Sequence, residues 1–300
     1  MSATYRGRFA PSPTGPLHRG SLVAALGSWL DARAHCGKWL IRIENIDTPR
    51  EQKGIAARQL STLAALGLSP DEPVMFQDAR SDAYFAAMQQ LERAGRVFCC
   101  VCTRSGLSAS AKGRPRPYPG TCRARGSSGA GTIRFRVEGG SVSFEDRGCG
   151  HFEQDVEKIV GDFVIRRADG LWAYQLAVVV DDAYQQITHV VRGADLLDNT
   201  PRQIALQRAL GLATPRYLHL PLVRDAAGRK LSKQTHAPAV DPSHALEELE
   251  QAWQHLGFAR TGASSIGRFQ ELAVARWRDR WCHDAAVSGP RVAAAADPLP

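Results

Sequence analysis

The chain has 300 residues, of which 44% are hydrophobic and 23% are charged, and these fractions exclude the disordered and fibrous classes. Its 38 Lys and Arg residues against 30 Asp and Glu give a net charge of +8, which is compatible with a polyanionic partner. No run of about 18 apolar residues could span a bilayer, and the N terminus lacks an apolar signal core. We therefore expect a cytoplasmic protein with no membrane partner.

The first 46 residues predict a strand, a turn, a helix and a second strand. The strand at 6–10 ends at Pro11, and the helix that begins near Ser21 has one apolar face. Residues 38–46 then alternate between apolar and polar side chains, as a strand does. This order is a βαβ unit, which predicts a parallel sheet with a right-handed crossover.

The amino-acid composition changes in the middle of the chain, between two series of predicted helices and strands. Residues 99–131 are rich in Gly, Pro, Ser, Arg and Cys, so this stretch buries little apolar area and a metal would stabilise it. Helices are predicted at 50–68, at 81–94 and from an N-cap at Thr200 to Gly211. Strands are predicted at 132–137, 141–145 and 162–166, followed by a buried run at 172–180 and another strand at 187–192.

The turn between the first strand and the first helix is a candidate anion site. It reads Pro13-Thr-Gly-Pro-Leu-His18-Arg-Gly20-Ser21, and the free amides of a helix N terminus attract phosphate. Glycine lets a phosphate approach the backbone closely, and His18 can donate a hydrogen bond to it. The alternative is an ordinary strand-to-helix turn that happens to contain a histidine.

A second candidate lies late in the chain, in the segment Lys230-Leu-Ser-Lys233. It contains two of the six lysines of the sequence. Two ammonium groups on a loop could neutralise charge that develops on a phosphate as pyrophosphate leaves. The alternative is a solvated basic loop.

Taken together, these two motifs resemble the paired signature of the class I aminoacyl-tRNA synthetases. The resemblance extends over residues 5–260 and is to glutamyl-tRNA synthetases, above all to their shortened paralogues, the glutamyl-Q tRNA(Asp) synthetases. The segments that carry it are Arg8-Phe-Ala-Pro-Ser-Pro-Thr-Gly-Pro-Leu-His18, Arg42-Ile-Glu44-Asn-Ile-Asp47, Ala173-Tyr174-Gln-Leu-Ala-Val-Val-Val-Asp-Asp182, Thr188-His-Val-Val-Arg192-Gly, Arg192-Gly-Ala-Asp-Leu-Leu-Asp-Asn-Thr-Pro-Arg-Gln203 and Lys230-Leu-Ser-Lys-Gln-Thr-His-Ala-Pro-Ala239.

The resemblance implies a two-step reaction. The shortened family activates L-glutamate with ATP, without tRNA present, and then glutamylates queuosine at the anticodon wobble position of tRNA(Asp). About 65 residues follow the second motif, which we expect to be too few for the anticodon-binding region of a full glutamyl-tRNA synthetase. Two alternatives stay open: a truncated glutamyl-tRNA synthetase that charges a tRNA 3′ end, and a non-catalytic RNA-binding paralogue.

The resemblance also implies the roles of particular residues. Arg8, Glu44 and Arg192 lie at or near the C-terminal ends of predicted strands, where open parallel sheets bind ligands. Arginine suits the carboxylates of glutamate, and Glu44 suits its ammonium group. The implied glutamate site is Arg8, Phe9, Ala10, Pro11, Ser12, Glu44, Tyr174 and Arg192. The implied ATP site is His18, Gly20, Ser21 and Lys233, with His18, Lys230 and Lys233 as the catalytic residues and Mg²⁺ bound to ATP.

The family's zinc site, with the pattern C-x-C, then Tyr, then C, has a counterpart in the middle of the chain. By this resemblance Cys100, Cys102, Tyr118 and Cys122 would hold one structural Zn²⁺. Two alternatives stay open: a register that uses Cys99 in place of Cys100, and buried or redox cysteines without a metal.

These expectations combine into an α/β fold. It has a Rossmann-like, parallel-sheet, nucleotide-binding catalytic domain, a zinc-containing insertion and a short helical C-terminal part. We expect the two halves of the catalytic domain at 1–98 and 161–215, and the insertion on the tRNA acceptor side at 99–160. The Lys230 loop and the helical part follow at 216–284, with a disordered tail at 285–300. The other histidines are expected to be structural or surface residues, among them His151, His189, His219 and His236.

Overall fold

The computed structural model describes residues 4–103, 117–123, 131–223 and 238–282. Lys230, Lys233, His236 and the predicted tail at 285–300 lie outside the described residues. Among the helices of the described part, none combines the length and the apolar character that crossing a membrane requires.

Ten strands and eight α-helices make up the described part of the fold. The strands are β1 (Arg6–Phe9), β2 (Lys38–Ile43), β3 (Met75–Phe76), β4 (Val97–Cys100), β5 (Thr132–Phe135), β6 (Ser141–Asp146), β7 (Gly150–Asp155), β8 (Phe163–Arg166), β9 (His189–Gly193) and β10 (Arg216–Leu220). The helices are α1 (Arg19–Ala34), α2 (Ile55–Ala65), α3 (Ser81–Arg93), α4 (Val156–Ile159), α5 (Tyr174–Tyr184), α6 (Thr200–Leu210), α7 (Ala245–His255) and α8 (Ile266–Trp281).

The predicted βαβ unit is confirmed, and it forms the centre of a parallel arrangement. Strands β1, β2 and β3 are parallel neighbours, and β9, β10 and β6 form a second parallel set to which β7 adds antiparallel. The two sets meet where Thr188 donates its backbone N–H to the carbonyl of Arg6 at 3.0 Å. A separate antiparallel sheet has the order β4-β5-β8.

Two apolar cores cover the parallel strands. The first core joins Leu22 and Leu26 of α1 to Trp253 of α7 and Trp277 of α8. The second core joins α3, α5 and α6 and includes Leu176 of α5. This α/β organisation places the N terminus of α1 and the C-terminal ends of β1 and β9 at one edge of the sheet, which is where the candidate site lies.

Two predictions are wrong in extent, and a third segment is predicted only as buried, without an element type. The buried run at 172–180 is the helix α5, whose residues are buried around almost the whole circumference, so its sequence carries no helical period. The helix predicted from residue 50 begins only at Ile55, after a short 3₁₀ turn at Thr48–Arg50. Cys99 and Cys100 end strand β4 instead of starting a loop.

A smaller correction concerns the start of α6. Thr200 is its first helical residue and Asn199 precedes it as the cap, because the 3₁₀ helix Ala194–Asn199 runs directly into α6. The predicted end at Gly211 is confirmed, since Gly211 adopts a left-handed conformation with φ of 68°.

Candidate active site

A cavity of about 490 Å³ opens beside the N terminus of α1 and the C-terminal ends of β1 and β9. Every predicted glutamate or ATP residue of the described part contributes to its wall, whereas Lys230 and Lys233 lie outside the described residues. The predicted residues in this wall are Arg8, Phe9, Ala10, Pro11, Ser12, His18, Gly20, Ser21, Glu44, Tyr174 and Arg192.

His18 is the N-cap of helix α1. Its Nδ1 accepts a hydrogen bond from the backbone N–H of Ser21 at 3.3 Å, so the ring of a neutral His18 carries its proton on Nε2. The side chain therefore caps the helix with one nitrogen and offers a donor with the other. Together with the amides of the first helical turn, this arrangement suits a phosphate group.

Described residues on both sides of 224–237, the range that contains Lys230 and Lys233, lie at this cavity. Pro221, Leu222 and Val223 lie in the cavity wall before the segment. After it, Ala239 forms a β-bridge with His18, and Val240 donates its backbone N–H to the carbonyl of Leu17 at 2.8 Å.

The side of the cavity formed by the residues predicted for glutamate contains a buried cluster of two guanidinium groups and two carboxylates. Arg8 Nε and Arg42 Nη1 both donate to Asp182 Oδ1, at 3.0 and 2.7 Å, and Arg42 Nη2 donates to Glu44 Oε1 at 3.3 Å. Burial alone would raise the pKa of Asp182, but the two arginines hold it below its ordinary value. Arg8 is therefore fixed in orientation by a carboxylate that comes from helix α5.

Glu44 is the carboxylate of this cluster that faces the cavity. Burial raises its pKa above the ordinary value, although Arg42 and Arg8 oppose that shift. A buried carboxylate gains stability from an incoming cation, because the cation compensates for the lost hydration. The arrangement is suited to bind the ammonium group of an amino acid at Glu44.

Arg192 is held by a chain of side chains that extends away from the cavity. Its Nε donates to His219 Nε2 at 3.1 Å, and the ring of His219 contacts Asp146 Oδ2 through Nδ1 at 2.6 Å. Burial lowers the pKa of His219, so the neutral ring accepts from Arg192 and donates to Asp146. Further hydrogen bonds join Arg192 to the hydroxyls of Tyr174, at 3.3 Å, and Thr200, at 2.8 Å.

The residues that hold the predicted ones in place were not predicted from the sequence. Asp182 is the last residue of one of the segments that resemble the family. Its place in the sequence did not indicate a role for it. His219 was expected to be structural or on the surface, and its burial between Arg192 and Asp146 confirms it as structural. Gln59 was also missed, and its amide donates to the carbonyls of Ser12 and Gly15, at 3.1 and 2.7 Å. Only burial of a polar side chain marks such residues, and burial is not visible in one sequence.

A second cluster, 'the cysteine cluster', comprises Cys100, Cys102, Cys122 and Tyr118. The three Sγ atoms lie within 4.8 Å of one another, and the Tyr118 hydroxyl lies 3.4 Å from Cys100 Sγ and 3.9 Å from Cys102 Sγ. These spacings fit four ligands around one zinc ion, with zinc–sulfur distances of about 2.3 Å. Cys99 alternates to the other face of β4, where its Sγ packs against Gly131, so the geometry favours the Cys100 register.

Comparison with known proteins places this site in a family. Residues 4–260 match the family described as tRNA synthetases class I (E and Q), catalytic domain. The chain belongs to this family. It is therefore an enzyme of the class I synthetase type, and the predicted α/β class with a parallel sheet is confirmed.

Curated relatives match over nearly their whole length. The glutamyl-Q tRNA(Asp) synthetase of Burkholderia mallei is 54% identical over 289 residues, which cover 92% of this chain and 97% of the relative. The protein of the same name from Bordetella bronchiseptica is 52% identical, over 96% of this chain and 93% of the relative.

A solved structure supports the same fold. The crystal structure of glutamate-tRNA synthetase from Elizabethkingia anophelis is 28% identical, with a TM-score of 0.69. The match covers 77% of this chain but only 53% of that one. The chain thus spans about half of the glutamate-tRNA synthetase and almost all of the shorter relatives.

Proposed function

We propose that this enzyme uses ATP to activate L-glutamate and transfers the glutamyl group to queuosine at the anticodon wobble position of tRNA(Asp). The observation that carries the proposal is one cavity that joins a helix N terminus, capped by His18, to a buried set of arginine and glutamate side chains. Relatives that match over more than 90% of both chains bear the name of this activity. ATP and a tRNA as substrates imply a cytoplasmic location.

In the first step, glutamate binds on the side of Arg8, Glu44 and Arg192. Glu44 accepts hydrogen bonds from its ammonium group, and the two arginines attract its carboxylates. Tyr174 and residues 9–12 complete the wall around it. The buried partners of Arg8 and Arg192 fix both guanidinium groups before glutamate arrives, which lowers the cost of ordering them.

The phosphates of ATP, with their Mg²⁺, bind on the side of His18, Gly20 and Ser21. An α-carboxylate oxygen of glutamate attacks the α-phosphorus, which forms glutamyl-adenylate and releases pyrophosphate. His18 Nε2 and the amides of α1 stabilise the charge on the phosphate oxygens. A hydroxyl of queuosine then attacks the glutamyl carbonyl, which forms an ester and releases AMP and the hydroxyl proton.

Lys230 and Lys233 join this phosphate side. Lys233 is six residues from Ala239, which bridges to His18, so an extended chain reaches about 20 Å at most. This closeness in sequence to the bridge at His18 supports the proposed role of Lys233 at the phosphates. Replacement of this ammonium group is therefore expected to slow adenylate formation.

The cysteine cluster holds one structural zinc ion in this proposal. The metal would join β4 to residues 117–123, in an insertion at 99–160 on the tRNA acceptor side. Three thiolates and a phenolate complete a tetrahedral set, although tyrosine is an uncommon zinc ligand. Bound zinc supplies a structural cross-link there, and no catalytic step requires it.

A comparison of three tRNAs tests the function most sharply. Queuosine-containing tRNA(Asp), the same tRNA lacking queuosine, and tRNA(Glu) are each incubated with the enzyme, ATP and labelled glutamate. We expect label only on the first, in a linkage at the anticodon. Equal labelling of both forms of tRNA(Asp), or labelling of the 3′ end of tRNA(Glu), would favour a truncated glutamyl-tRNA synthetase instead.

A further inference from the structure

A second cavity, of about 210 Å³, adjoins the first. The two cavities share Ser12, Glu44, Arg50 and Tyr174 in their walls. Among the described residues, no residue of helix α1 lines the second cavity, whereas the N terminus of α1 borders the first. A ligand in the second cavity would therefore lie next to bound glutamate and away from the phosphate side.

Gln77, a residue of this second cavity's wall, has a buried hydrogen-bond acceptor without a partner in the described part of the chain. Its Nε2 donates to Asp181 Oδ2 at 2.8 Å, which fixes the orientation of the amide because a carboxylate only accepts. Gln77 is 1% exposed and lines the cavity. Its Oε1 is buried and has no hydrogen-bond partner in the described part of the chain. A buried acceptor without a partner is costly, and a small shift of the Gln77 side chain toward the cavity would let a ligand N–H or O–H group satisfy it.

Trp172 provides an aromatic surface in the same cavity. Its indole N–H donates to the hydroxyl of Ser81 at 3.2 Å, and its ring contacts Tyr84 at an interplanar angle of 67° with the ring centroids 5.8 Å apart. Arg166, which does not line the cavity, places its guanidinium 5.0 Å from the ring centroid. The ring is thus held in a fixed orientation, and a fixed aromatic side chain is a common platform on which an unstacked base can lie.

Charged groups at the rim complete the cavity. Asp47 lies between two arginines, with an ion pair to Arg50 and a longer one to Arg167 at 3.7 Å. The carboxylate adds a second acceptor to that of Gln77, and the arginines can meet a phosphate of the RNA backbone. Two acceptors beside an aromatic ring match a guanine-type base, whose Watson–Crick edge presents N–H donors.

We propose that the cavity lined by Gln77, Asp47 and Trp172 binds the guanine-type modified base that accepts the glutamyl group. This inference rests on the proposed function and identifies the acceptor side of the same site. With the base in this cavity, its hydroxyl-bearing substituent can reach the shared wall at Glu44 and Tyr174. The order along the site is then phosphate, glutamate and acceptor base.

The test compares two rates for each variant: glutamate-dependent exchange of pyrophosphate into ATP, and transfer of glutamate to queuosine-containing tRNA(Asp). Gln77→Leu removes the buried acceptor, and Asp47→Asn alters the rim. We expect both to slow transfer about tenfold more than exchange, the loss typical of one hydrogen bond to a charged or buried group. Asp169→Asn is the control, since Asp169 also pairs with Arg167 but does not line the cavity, and it should leave both rates at the wild-type level.

Gln77→Leu also deprives Asp181 of a donor and can impair folding, so Asp47→Asn, at a partly exposed position, keeps the test decisive. Transfer that stays within about twofold of wild type in Asp47→Asn, or exchange that falls as much as transfer, overturns the assignment of this cavity. Failure of the proposed function is seen separately, in the wild-type enzyme. If wild type does not prefer the queuosine-containing tRNA, that function is rejected, and the cavity assignment falls with it.

Discussion

His18 combines a structural and a chemical role in one imidazole ring. Nδ1 caps α1 by accepting from the Ser21 amide, and Nε2 is assigned to phosphate. Asparagine is as good an N-cap as any residue, but it does not carry the Nε2 donor to the same place. We therefore predict that His18→Asn keeps the unfolding midpoint and slows pyrophosphate exchange about 100-fold.

The matched variant His18→Ala loses both roles. It should slow exchange to a similar extent and also lower the free energy of unfolding by about 1 kcal/mol, because the helix cap is lost. Exchange by His18→Asn at the wild-type rate would remove the phosphate role and leave only the cap.

Lys233 permits a second prediction about a single residue. Lys233→Ala should lower the rate of adenylate formation at least tenfold, because an ammonium group that neutralises the phosphate is lost. Thermal unfolding should not change, and Lys53→Ala, at an exposed lysine, serves as the control for loss of one positive charge. If Lys233→Ala unfolds or exchanges normally, the assigned role is wrong.

The sequence predicted the groups that line the cavity better than the groups behind them. His18, Glu44 and Arg192 belong to short local patterns next to strand ends, which can be recognised without a structure. Asp182 and Asp146 reach the site from distant elements, at sequence separations of 174 from Arg8 and 73 from His219. Long-range pairing of this kind is decided by tertiary packing, so it left no signal in the spacing of the residues.

Some strands and helices could be predicted from the sequence more accurately than others. Helix α1 and strand β2 were predicted correctly as elements, although the structure buries both on nearly all sides and not on one face, as their sequence patterns suggested. Helix α5 is buried on nearly all sides, and strand β7, which was not predicted, is a short hairpin partner of β6. For such elements the hydrophobic period is absent or short, and neighbours decide the structure.

The contact between Tyr5, just before β1, and His189 of β9 gives a pH prediction. His189 stacks on Tyr5 with the ring centroids 4.2 Å apart, and burial lowers its pKa from 6.5 to about 4. Between these two values the unfolded chain binds more protons than the folded one, so stability is complete above about pH 6.5 and falls as the pH falls.

We expect the free energy of unfolding, measured with urea, to decrease from pH 7 to pH 5. His189→Phe retains an aromatic ring against Tyr5 but does not titrate, so its stability should depend less on pH in this range. An equal pH dependence in the two proteins would show that His189 is not a source of the effect.

The cysteine cluster, which lies at the end of strand β4, leads to a prediction about bound zinc. Purified protein should contain about one zinc ion per chain, and Cys102→Ser should lose the metal and lower the unfolding temperature. Cys149→Ser is the matched control, because Cys149 lies outside the cluster. A zinc content far below one per chain would contradict the assignment and favour thiols without metal.

Across the whole molecule, Asp31 of α1 joins three distant parts of the chain. Its buried carboxylate accepts from Arg147, which follows β6, at 2.7 and 2.8 Å, from Tyr5 at 2.6 Å and from Trp277 of α8 at 2.9 Å. The arginine lowers the pKa of Asp31 against the effect of burial. This cluster fastens the C-terminal helices to the catalytic sheet.

Removal of one partner from that cluster should be costly. We predict that Arg147→Met lowers the free energy of unfolding by about 3 kcal/mol, because it leaves a buried charge unpaired. The double variant with Asp31→Asn should recover part of the loss, and pyrophosphate exchange per folded molecule should be unchanged. A single variant as stable as wild type would show that the ion pair does not fasten the helices.

The central claim is that a single cavity binds ATP at the start of α1 and glutamate beside Glu44, so that an adenylate forms there without any RNA. Exchange of labelled pyrophosphate into ATP, with glutamate, Mg²⁺ and no tRNA, measures this directly. We predict exchange that requires glutamate and saturates with it. No exchange at any enzyme or glutamate concentration would contradict the account and favour a protein that only binds RNA.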